Sequence, residues 1–346
     1  MNHRERFEAG LAREPADRPA IMYQHLGAAK HVLAAAGLTM REGFHDPETF
    51  ARIAMMGQRI TGFDNVMAGW GDVLVEARAH GMQWVFPERD FYPRAKKYVE
   101  MTPSNLDKIV PVDPMKDEYW SVPLKAAKLM MDRVGREVEV LGSMVTPMGI
   151  VGEMVGMENL LMATMSDPGI VEQLLGTVVE SLKTYGEHIS RFGISTIYVE
   201  DAAELSLSSP ENIERYQLAS LKKAVSSFHS HDIKVITHNC AANPYLDGYI
   251  GIGADAVTFH VTAVDLEKTM AMFRGHVAVM AGIDQTVLLF NGTEKEIQTE
   301  VDRIFNVWGD SPGLMFTTGC EMAFKTPMEN IIAFREAVAR HGTSLD

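Results

Sequence analysis

Residues 233–240 read Ile-Lys-Val-Ile-Thr-His-Asn-Cys, a short apolar run that ends in polar side chains. Apolar, β-branched runs of this length are typical of strands buried on both faces of a parallel sheet. A helical pattern over Ser209–Ser230, opened by Pro210, comes just before it. The same order of helix, apolar strand and polar side chains recurs along the chain, and this repetition predicts the fold.

Eight segments of the chain have the character of short strands. They are Pro19–Gln24, Phe63–Gly69, Val138–Gly142, Ser195–Glu200, Lys234–His238, Ala256–His260, Val277–Ala281 and Leu314–Thr317. Helical patterns separate most of them, including Pro168–Arg191, Thr293–Trp308 and Pro327–His341. The alternation predicts a (β/α)₈ TIM barrel in the α/β class, as a single domain over residues 1–346. We expect the less regular, proline-containing segment Phe86–Lys128 to be an insertion that covers the barrel mouth.

Composition excludes several classes of partner. The chain of 346 residues has 46 acidic and 32 basic side chains and a net charge of −14, so we expect no binding to nucleic acid. No apolar stretch approaches the ~20 residues that span a bilayer, so we expect no membrane insertion. The charged start Met1–Arg6 lacks the apolar core of a signal peptide. These features predict a cytoplasmic protein.

The two cysteines of the chain both follow predicted strands. Cys240 lies two residues after His238, and Cys320 ends the segment Phe-Thr-Thr-Gly-Cys at residues 316–320. One imidazole and two thiols with a coordination position left open are the ligand set of a catalytic zinc site. Two other interpretations stay open at this point: a disulfide, which an oxidising compartment would favour, and inert buried thiols, which are common in intracellular proteins.

Other polar side chains lie at or just after the ends of the predicted strands, where the active site of a TIM barrel lies. They are Gln24, His25, Asp72, Glu200, Asp201, His260 and Asp284. Glu200 or Asp201 is a candidate fourth zinc ligand or supporting carboxylate, with a helix cap or a rim ion pair as the alternative. Asp284 is expected either to orient His238 or to cap the next helix.

The remaining candidates are expected to line the mouth. His260 is interpreted as a ligand, a proton acceptor or an ordinary buried histidine. Gln24 and His25 are expected beside the substrate or cofactor. Asp72 is preferred over Glu76 as a site residue, because Glu76 has the position of a favourable acidic residue in the first turn of a helix.

Several motifs together resemble the uroporphyrinogen decarboxylase superfamily. They are Gly62-Phe63-Asp64-Asn65, the run Val75–Gly81, Pro147-Met148-Gly149, Gly156-Met157-Glu158, Ala281–Asp284, Gly319-Cys320-Glu321 and Thr326–Asn330. Within that superfamily, His-x-Cys and the later Gly-Cys resemble the zinc site of the methylcobamide:coenzyme M methyltransferase group. The resemblance implies a (β/α)₈ barrel, zinc held by His238, Cys240 and Cys320, and a corrinoid protein as partner.

These expectations lead to a hypothesis of zinc-dependent methyl transfer. The methyl group would move between a methylcorrinoid on the partner protein and a small thiol acceptor or methyl donor, in a direction that the ligand set does not decide. One alternative is decarboxylation of a porphyrinogen at Asp72. However, Arg18–Gly27 lacks the arginines that follow the first strand in the decarboxylases. Another alternative is a non-catalytic homologue that binds a corrinoid protein.

Overall fold

The computed structural model describes residues 1–25, 29–69, 74–86, 88 and 91–342. Within these ranges the strands are β1 (Ile21–Met22), β2 (Asn65–Ala68), β3 (Gln83–Val85), β4 (Arg94–Lys97), β5 (Glu139–Val145), β6 (Thr196–Asp201), β7 (Lys234–Asn239), β8 (Ala256–Phe259), β9 (Ala278–Gly282) and β10 (Leu314–Thr317). All eight predicted strands are present.

The helices of the described residues lie mainly between these strands. They are α1 (His3–Ala12), α2 (Lys30–Ala36), α3 (Met40–His45), α4 (Pro47–Thr61), α5 (Val75–Ala79), α6 (Pro103–Leu106), α7 (Ser121–Val134), α8 (Pro147–Val155), α9 (Met157–Ser166), α10 (Pro168–Arg191), α11 (Pro210–Asn212), α12 (Ala219–His229), α13 (Tyr249–Ile252), α14 (Leu266–Phe273), α15 (Glu294–Trp308) and α16 (Met328–Ala339). A π-helical turn, Ile213–Leu218, joins α11 to α12.

Eight parallel strands form one sheet in the order β1-β10-β9-β8-β7-β6-β5-β2. Its two ends, β1 and β2, are joined by individual hydrogen bonds instead of a strand ladder. The Tyr23 N–H donates to Asn65 Oδ1 at 2.9 Å, and the Asp64 N–H donates to the Ile21 carbonyl at 2.9 Å. The sheet is therefore a nearly closed barrel, and the predicted (β/α)₈ architecture is confirmed.

The barrel interior is apolar at its centre. Its buried side chains are Ala20, Met22, Met67, Leu141, Tyr198, Ile236, Ala256, Ala278, Met280 and Met315, with Phe7 and Leu11 of α1 packed against them. A Cβ at Gly10 would lie 2.8 Å from Met315 Cγ, so the glycine lets α1 approach the strands closely. Because α1 closes the barrel's amino end, polar chemistry is left to the carboxyl end.

The segment Phe86–Lys128 is more regular than the sequence predicts. Strands β3 and β4 pair as an antiparallel hairpin, and Ser121–Lys128 forms the first half of α7, which packs on α4. The Tyr92 hydroxyl donates to Glu321, the neighbour of Cys320, so part of the segment does reach the barrel mouth. None of the described helices combines the length and the apolar character that crossing a membrane requires.

Candidate metal centre and adjoining cavity

Strand alternation places Glu200 and His238 side by side at the carboxyl end of the barrel. On β6 and β7, Tyr198 and Ile236 point inward, so the residues two positions later do as well. The parallel register pairs Glu200 with His238, and Glu200 Oε1 lies 3.9 Å from His238 Nε2. The imidazole is fully buried, whereas the carboxylate is partly exposed.

Cys240 and Cys320 reach the same place from two loops. Donor atoms of Glu200, His238 and Cys240 lie within 4.8 Å of one another. Cys320 is hydrogen-bonded to Cys240 and interacts with His238. Gly319 has φ of 80°, and a Cβ there would lie 2.4 Å from the Ile283 carbonyl oxygen, so the turn that presents Cys320 requires glycine. Both cysteines are free thiols and do not form the disulfide considered above.

The two thiols share one negative charge. The hydrogen bond from Cys240 and the nearby His238 hold the pKa of Cys320 well below its usual range, although burial opposes this. The pKa of Cys240 is raised by the same hydrogen bond, by burial and by Glu200. Burial alone would lower the pKa of His238, but Glu200 and Cys320 raise it on balance. The cluster therefore holds anionic sulfur beside a basic imidazole.

This donor set fits a zinc ion. Neither ring nitrogen of the buried His238 makes a well-directed hydrogen bond to another described residue. A buried imidazole without such a partner is costly, and coordination of a cation would compensate that cost. One nitrogen and two sulfurs, with a carboxylate beside them, are ligands that zinc accepts in a tetrahedral shell.

Further buried polar groups surround the cluster. Those whose side chains have a polar atom without a hydrogen-bond partner among the described residues include Gln24, His25, Thr258, Gln285 and Thr317. His25 packs edge-on against Tyr198 with ring centroids 5.9 Å apart. Burial lowers the pKa of His25 to about 4, so its ring is neutral at physiological pH. Gln24 and His25 thus lie at the mouth, where the sequence places them, with polar atoms available to a ligand.

Asp201 points away from this cluster. Its carboxylate accepts hydrogen bonds from the Tyr249 hydroxyl, the Gln217 amide and the Thr146 hydroxyl. Burial is the main cause that raises its pKa. The expected alternatives for Asp201 were a ligand or a structural carboxylate, and the geometry favours the structural one. It fixes α8, the π-helical turn and α13 around the end of β6.

Asp284 accepts backbone hydrogen bonds within its own turn. The Thr286 N–H donates to Asp284 Oδ1 at 2.7 Å, and Val287 N–H donates to the same oxygen. Of the two expected roles, these bonds favour the cap of the following turn, and no described hydrogen bond joins Asp284 to His238. His260 lies at the rim, with Nδ1 2.8 Å from Thr262 Oγ1 and Nε2 3.4 Å from the Gln285 amide. Asp72 lies outside the described residues.

A cavity of about 260 Å³ opens beside Cys240 and Glu200. It is bounded by α5, α8, α9 and the π-helical turn. The apolar side chains that line it are Leu74, Ala77, Val145, Met148, Ile150, Met157, Leu161, Ala202, Leu207, Ile213 and Ala241. Irregular π turns often accompany functional sites, and here the turn supplies Ile213 and Gln217 to the wall.

Sequence reasoning missed Tyr198 and the burial of Glu76. Tyr198 stacks on His238 with ring centroids 6.0 Å apart, and its hydroxyl donates to Glu200 Oε2 at 2.6 Å. Its position two residues before Glu200 on the same strand is the signal that could have identified it. Glu76 does lie in the first turn of α5, as predicted, but its side chain is 98% buried at the cavity and not solvated.

The chain is similar to known proteins along nearly its whole length. A family model described as uroporphyrinogen decarboxylase (URO-D) matches residues 2–341. The chain belongs to the uroporphyrinogen decarboxylase family. The methylcobamide:CoM methyltransferase MtbA of Methanosarcina mazei is 25% identical over 337 residues, which are 95% of each chain. A uroporphyrinogen decarboxylase of Idiomarina loihiensis is 23% identical and covers 97% of this chain and 96% of its own.

Among solved structures, a methyltransferase from Methanosarcina mazei has the same fold. It superimposes with a TM-score of 0.89 at 20% identity and covers 98% of this chain and 99% of its own. The predicted superfamily and its barrel are confirmed. The relatives are enzymes, and the methyltransferases among them support methyl transfer as the reaction class.

Proposed function

We propose that this chain is a zinc-dependent methyltransferase, which moves a methyl group between a corrinoid on a partner protein and a small methyl donor or thiol acceptor. The observation that carries the proposal is that two thiols lie beside a buried imidazole at the mouth of the barrel, and that this imidazole makes no well-directed hydrogen bond to a described residue. The methylcobamide:CoM methyltransferases among the relatives support the corrinoid partner.

In the proposed site, His238, Cys240 and Cys320 hold the metal. Zinc bound there would keep a coordinated thiol deprotonated at neutral pH and so make its sulfur nucleophilic. Two anionic sulfurs and a neutral imidazole offset the charge of the ion, which favours nucleophilic sulfur over an acidic bound water. The methyl group passes as a cation equivalent. The electron pair of the acceptor forms the new bond, and the pair of the broken bond stays with the donor.

Glu200 serves in this proposal as the exchangeable fourth group. It lies close enough to share a metal with His238 and Cys240, and the Tyr198 hydroxyl offers its carboxylate a second partner. A substrate that enters the coordination position would displace Glu200 toward Tyr198. Gln24 and His25 follow β1, which lies across the barrel from β6 and β7. They would contact the substrate from that side, since their side chains have buried polar atoms without a hydrogen-bond partner among the described residues.

The test measures zinc and methyl transfer in the same samples. Wild type should retain about one zinc per chain and demethylate methylcobalamin with a small thiol. Cys240→Ser and Cys320→Ser should lose zinc and reduce transfer by about 100-fold or more. His276→Gln, at an exposed position, is the matched control and should match wild type in both. Full activity in metal-free protein would contradict the proposal.

Decarboxylation is the second candidate, since decarboxylases are also among the relatives. The described lining of the cavity is acidic and apolar, which does not suit a substrate bearing many carboxylates. Incubation with uroporphyrinogen decides between the two reactions. Release of carbon dioxide by protein without zinc would favour the decarboxylase.

A further inference from the structure

We propose that the cavity beside Cys240 binds a small methylated cation, a quaternary ammonium or sulfonium compound, and that Glu76 supplies its counter-charge. This inference rests on the proposed function for its role in catalysis, because the cavity borders the candidate metal centre. It names the substrate class that the centre serves. The binding of the cation can be measured without any methyl transfer.

The size and walls of the cavity suit a compact group covered with methyls. Its volume of about 260 Å³ is below the usual range for drug-sized ligands. Aliphatic side chains and the thioethers of Met148 and Met157 form most of its surface. Methionine adapts its shape and is polarisable, so it contacts a diffuse cation favourably.

The charge of the lining selects for a cation. Its acidic residues are Glu76, Glu153, Glu200, Asp201 and Glu204, and the lining that the structure describes includes no lysine, arginine or histidine. A thiol that carries a sulfonate, such as coenzyme M, would lose its hydration here without gaining a cationic partner. The cavity therefore disfavours the acceptor named for the methylcobamide:CoM methyltransferases.

Most of these carboxylates have other functions. Asp201 is held by Tyr249, Gln217 and Thr146, and Glu200 belongs to the candidate metal centre. Glu204 accepts hydrogen bonds from the N–H groups of Ser206 and Asn243 at 3.1 Å each. Glu153 lies at a half-buried position of α8.

Glu76 is a buried carboxyl group of the cavity wall without a described cationic partner. Its hydrogen-bond partners are its own backbone N–H and that of Val145, and no described basic group pairs with it. Tyr185 of α10 interacts with it electrostatically. The other titratable side chains of the cavity wall are Glu153, Glu200, Asp201, Glu204 and Cys240. Burial raises the pKa of Glu76 to about 8, so the group is mainly a neutral acid at physiological pH. A cation would favour the ionised form and expel the proton.

The experiment compares cations with a neutral isostere by titration calorimetry. The probes are tetramethylammonium, choline, the carbon isostere of choline (dimethylbutanol) and mercaptoethanesulfonate. Wild type should bind the cations at least about tenfold more tightly than dimethylbutanol, and the sulfonate most weakly. Glu76→Gln should remove this preference and leave the binding of dimethylbutanol unchanged. Glu158→Gln, at an exposed position of α9, is the matched control.

Two further measurements cover a variant that fails to fold and separate this inference from the proposed function. If Glu76→Gln does not fold, the affinity of wild type for the cations should still rise with pH and level off above about pH 8, with a proton released on binding. The Cys320→Ser variant should bind cations normally while it loses transfer, which separates this inference from the proposed function. Equal binding of choline and dimethylbutanol to wild type would overturn the inference, as would tighter binding of the sulfonate or the absence of binding by both cations.

Discussion

Glu200 has two sets of contacts at the candidate metal centre, and they determine the effect that we expect its replacement to have on zinc binding and methyl transfer. Its carboxylate lies beside His238 and Cys240 and also accepts the Tyr198 hydroxyl. Three softer ligands remain when Glu200 is changed. We therefore expect Glu200→Gln to retain zinc but to slow methyl transfer by about 10- to 100-fold. Metal analysis and transfer assays on the same preparation check this, and an unimpaired rate would show that Glu200 has no part in the reaction.

We expect Glu76 to lower the free energy of unfolding in alkaline solution. Its pKa is about 8 in the folded chain, because it is buried, and about 4.3 in an unfolded chain. Between these values only the folded state binds the proton, so stability falls as pH rises from about 4.3 to about 8. Glu76→Gln removes this loss. The variant should exceed wild type by a few kcal/mol in urea unfolding at pH 9 and by much less at pH 5, whereas an equal difference at both would contradict the burial of an ionisable acid.

Helix α1 is joined to the start of the barrel by one buried carboxylate. Asp64 accepts hydrogen bonds from Arg6, Arg18, His3 and the Ile21 N–H. Burial alone would raise the pKa of Asp64, but His3 and Arg18 lower it on balance. The lowered pKa means that Asp64 stabilises the fold above the unfolded value of about 3.9, and that this contribution is lost as pH falls further.

Asp64→Asn should destabilise the fold strongly. Removal of one charge from a buried network leaves the arginines without their partner, at a cost of about 3–5 kcal/mol. The control is Glu48→Gln, which removes an exposed pair with Arg133, with side chains 48% and 40% exposed. That change should cost no more than about 1 kcal/mol. Urea unfolding at neutral pH measures both, and similar losses in the two variants would refute the assignment.

A helix or strand is predictable from the sequence where nearby residues mark its start or its pattern. Helices α10 and α15 were predicted with correct starts, since Asp167 with Pro168 and the Thr293–Glu296 capping box mark them. The hairpin of β3 and β4 was not predicted because Arg94–Lys97 is mostly exposed and has no apolar alternation. The π-helical turn was predicted only as continuous helix, because its extra residue leaves no mark in the spacing of apolar residues.

The candidate site was predictable where a motif follows a strand. His238 lies at the end of β7, and Cys240 and Cys320 follow β7 and β10, so their common edge of the barrel was implied by the fold. The order of Glu200 and Asp201 along the chain does not show which of the two belongs to the candidate metal centre. That depends on which of two adjacent side chains faces the barrel interior. Glu76 was missed because its burial depends on α8 and α9, which lie far along the chain.

Exposed apolar side chains near the cavity suit a docking partner. Leu207 lines the cavity and is 62% exposed, and Met162, 57% exposed, follows the cavity-lining Leu161 on α9. Tyr98 lies beside Gly156 between α8 and α9. Exposed apolar groups around a site are typical of protein contact surfaces. The proposed partner is the corrinoid protein, which has to bring its cofactor to the barrel mouth.

Met162→Glu should therefore weaken transfer with a corrinoid protein. We expect KM for the protein-bound corrinoid to rise about tenfold, because a charge is buried in the contact, while the rate with free methylcobalamin is unchanged. Ala271→Glu, at an exposed position of α14, serves as the control. Steady-state kinetics with both corrinoid forms check this, and an equal effect on the two forms would argue against docking near the cavity.

The X-ray absorption spectrum of zinc in the purified protein tests the central claim most directly. The account predicts two sulfur neighbours at about 2.3 Å, from Cys240 and Cys320, with nitrogen or oxygen neighbours at about 2.0–2.1 Å. The sulfur signal should disappear with the metal in Cys240→Ser. Protein that binds no zinc, or zinc surrounded by nitrogen and oxygen alone, would contradict the account.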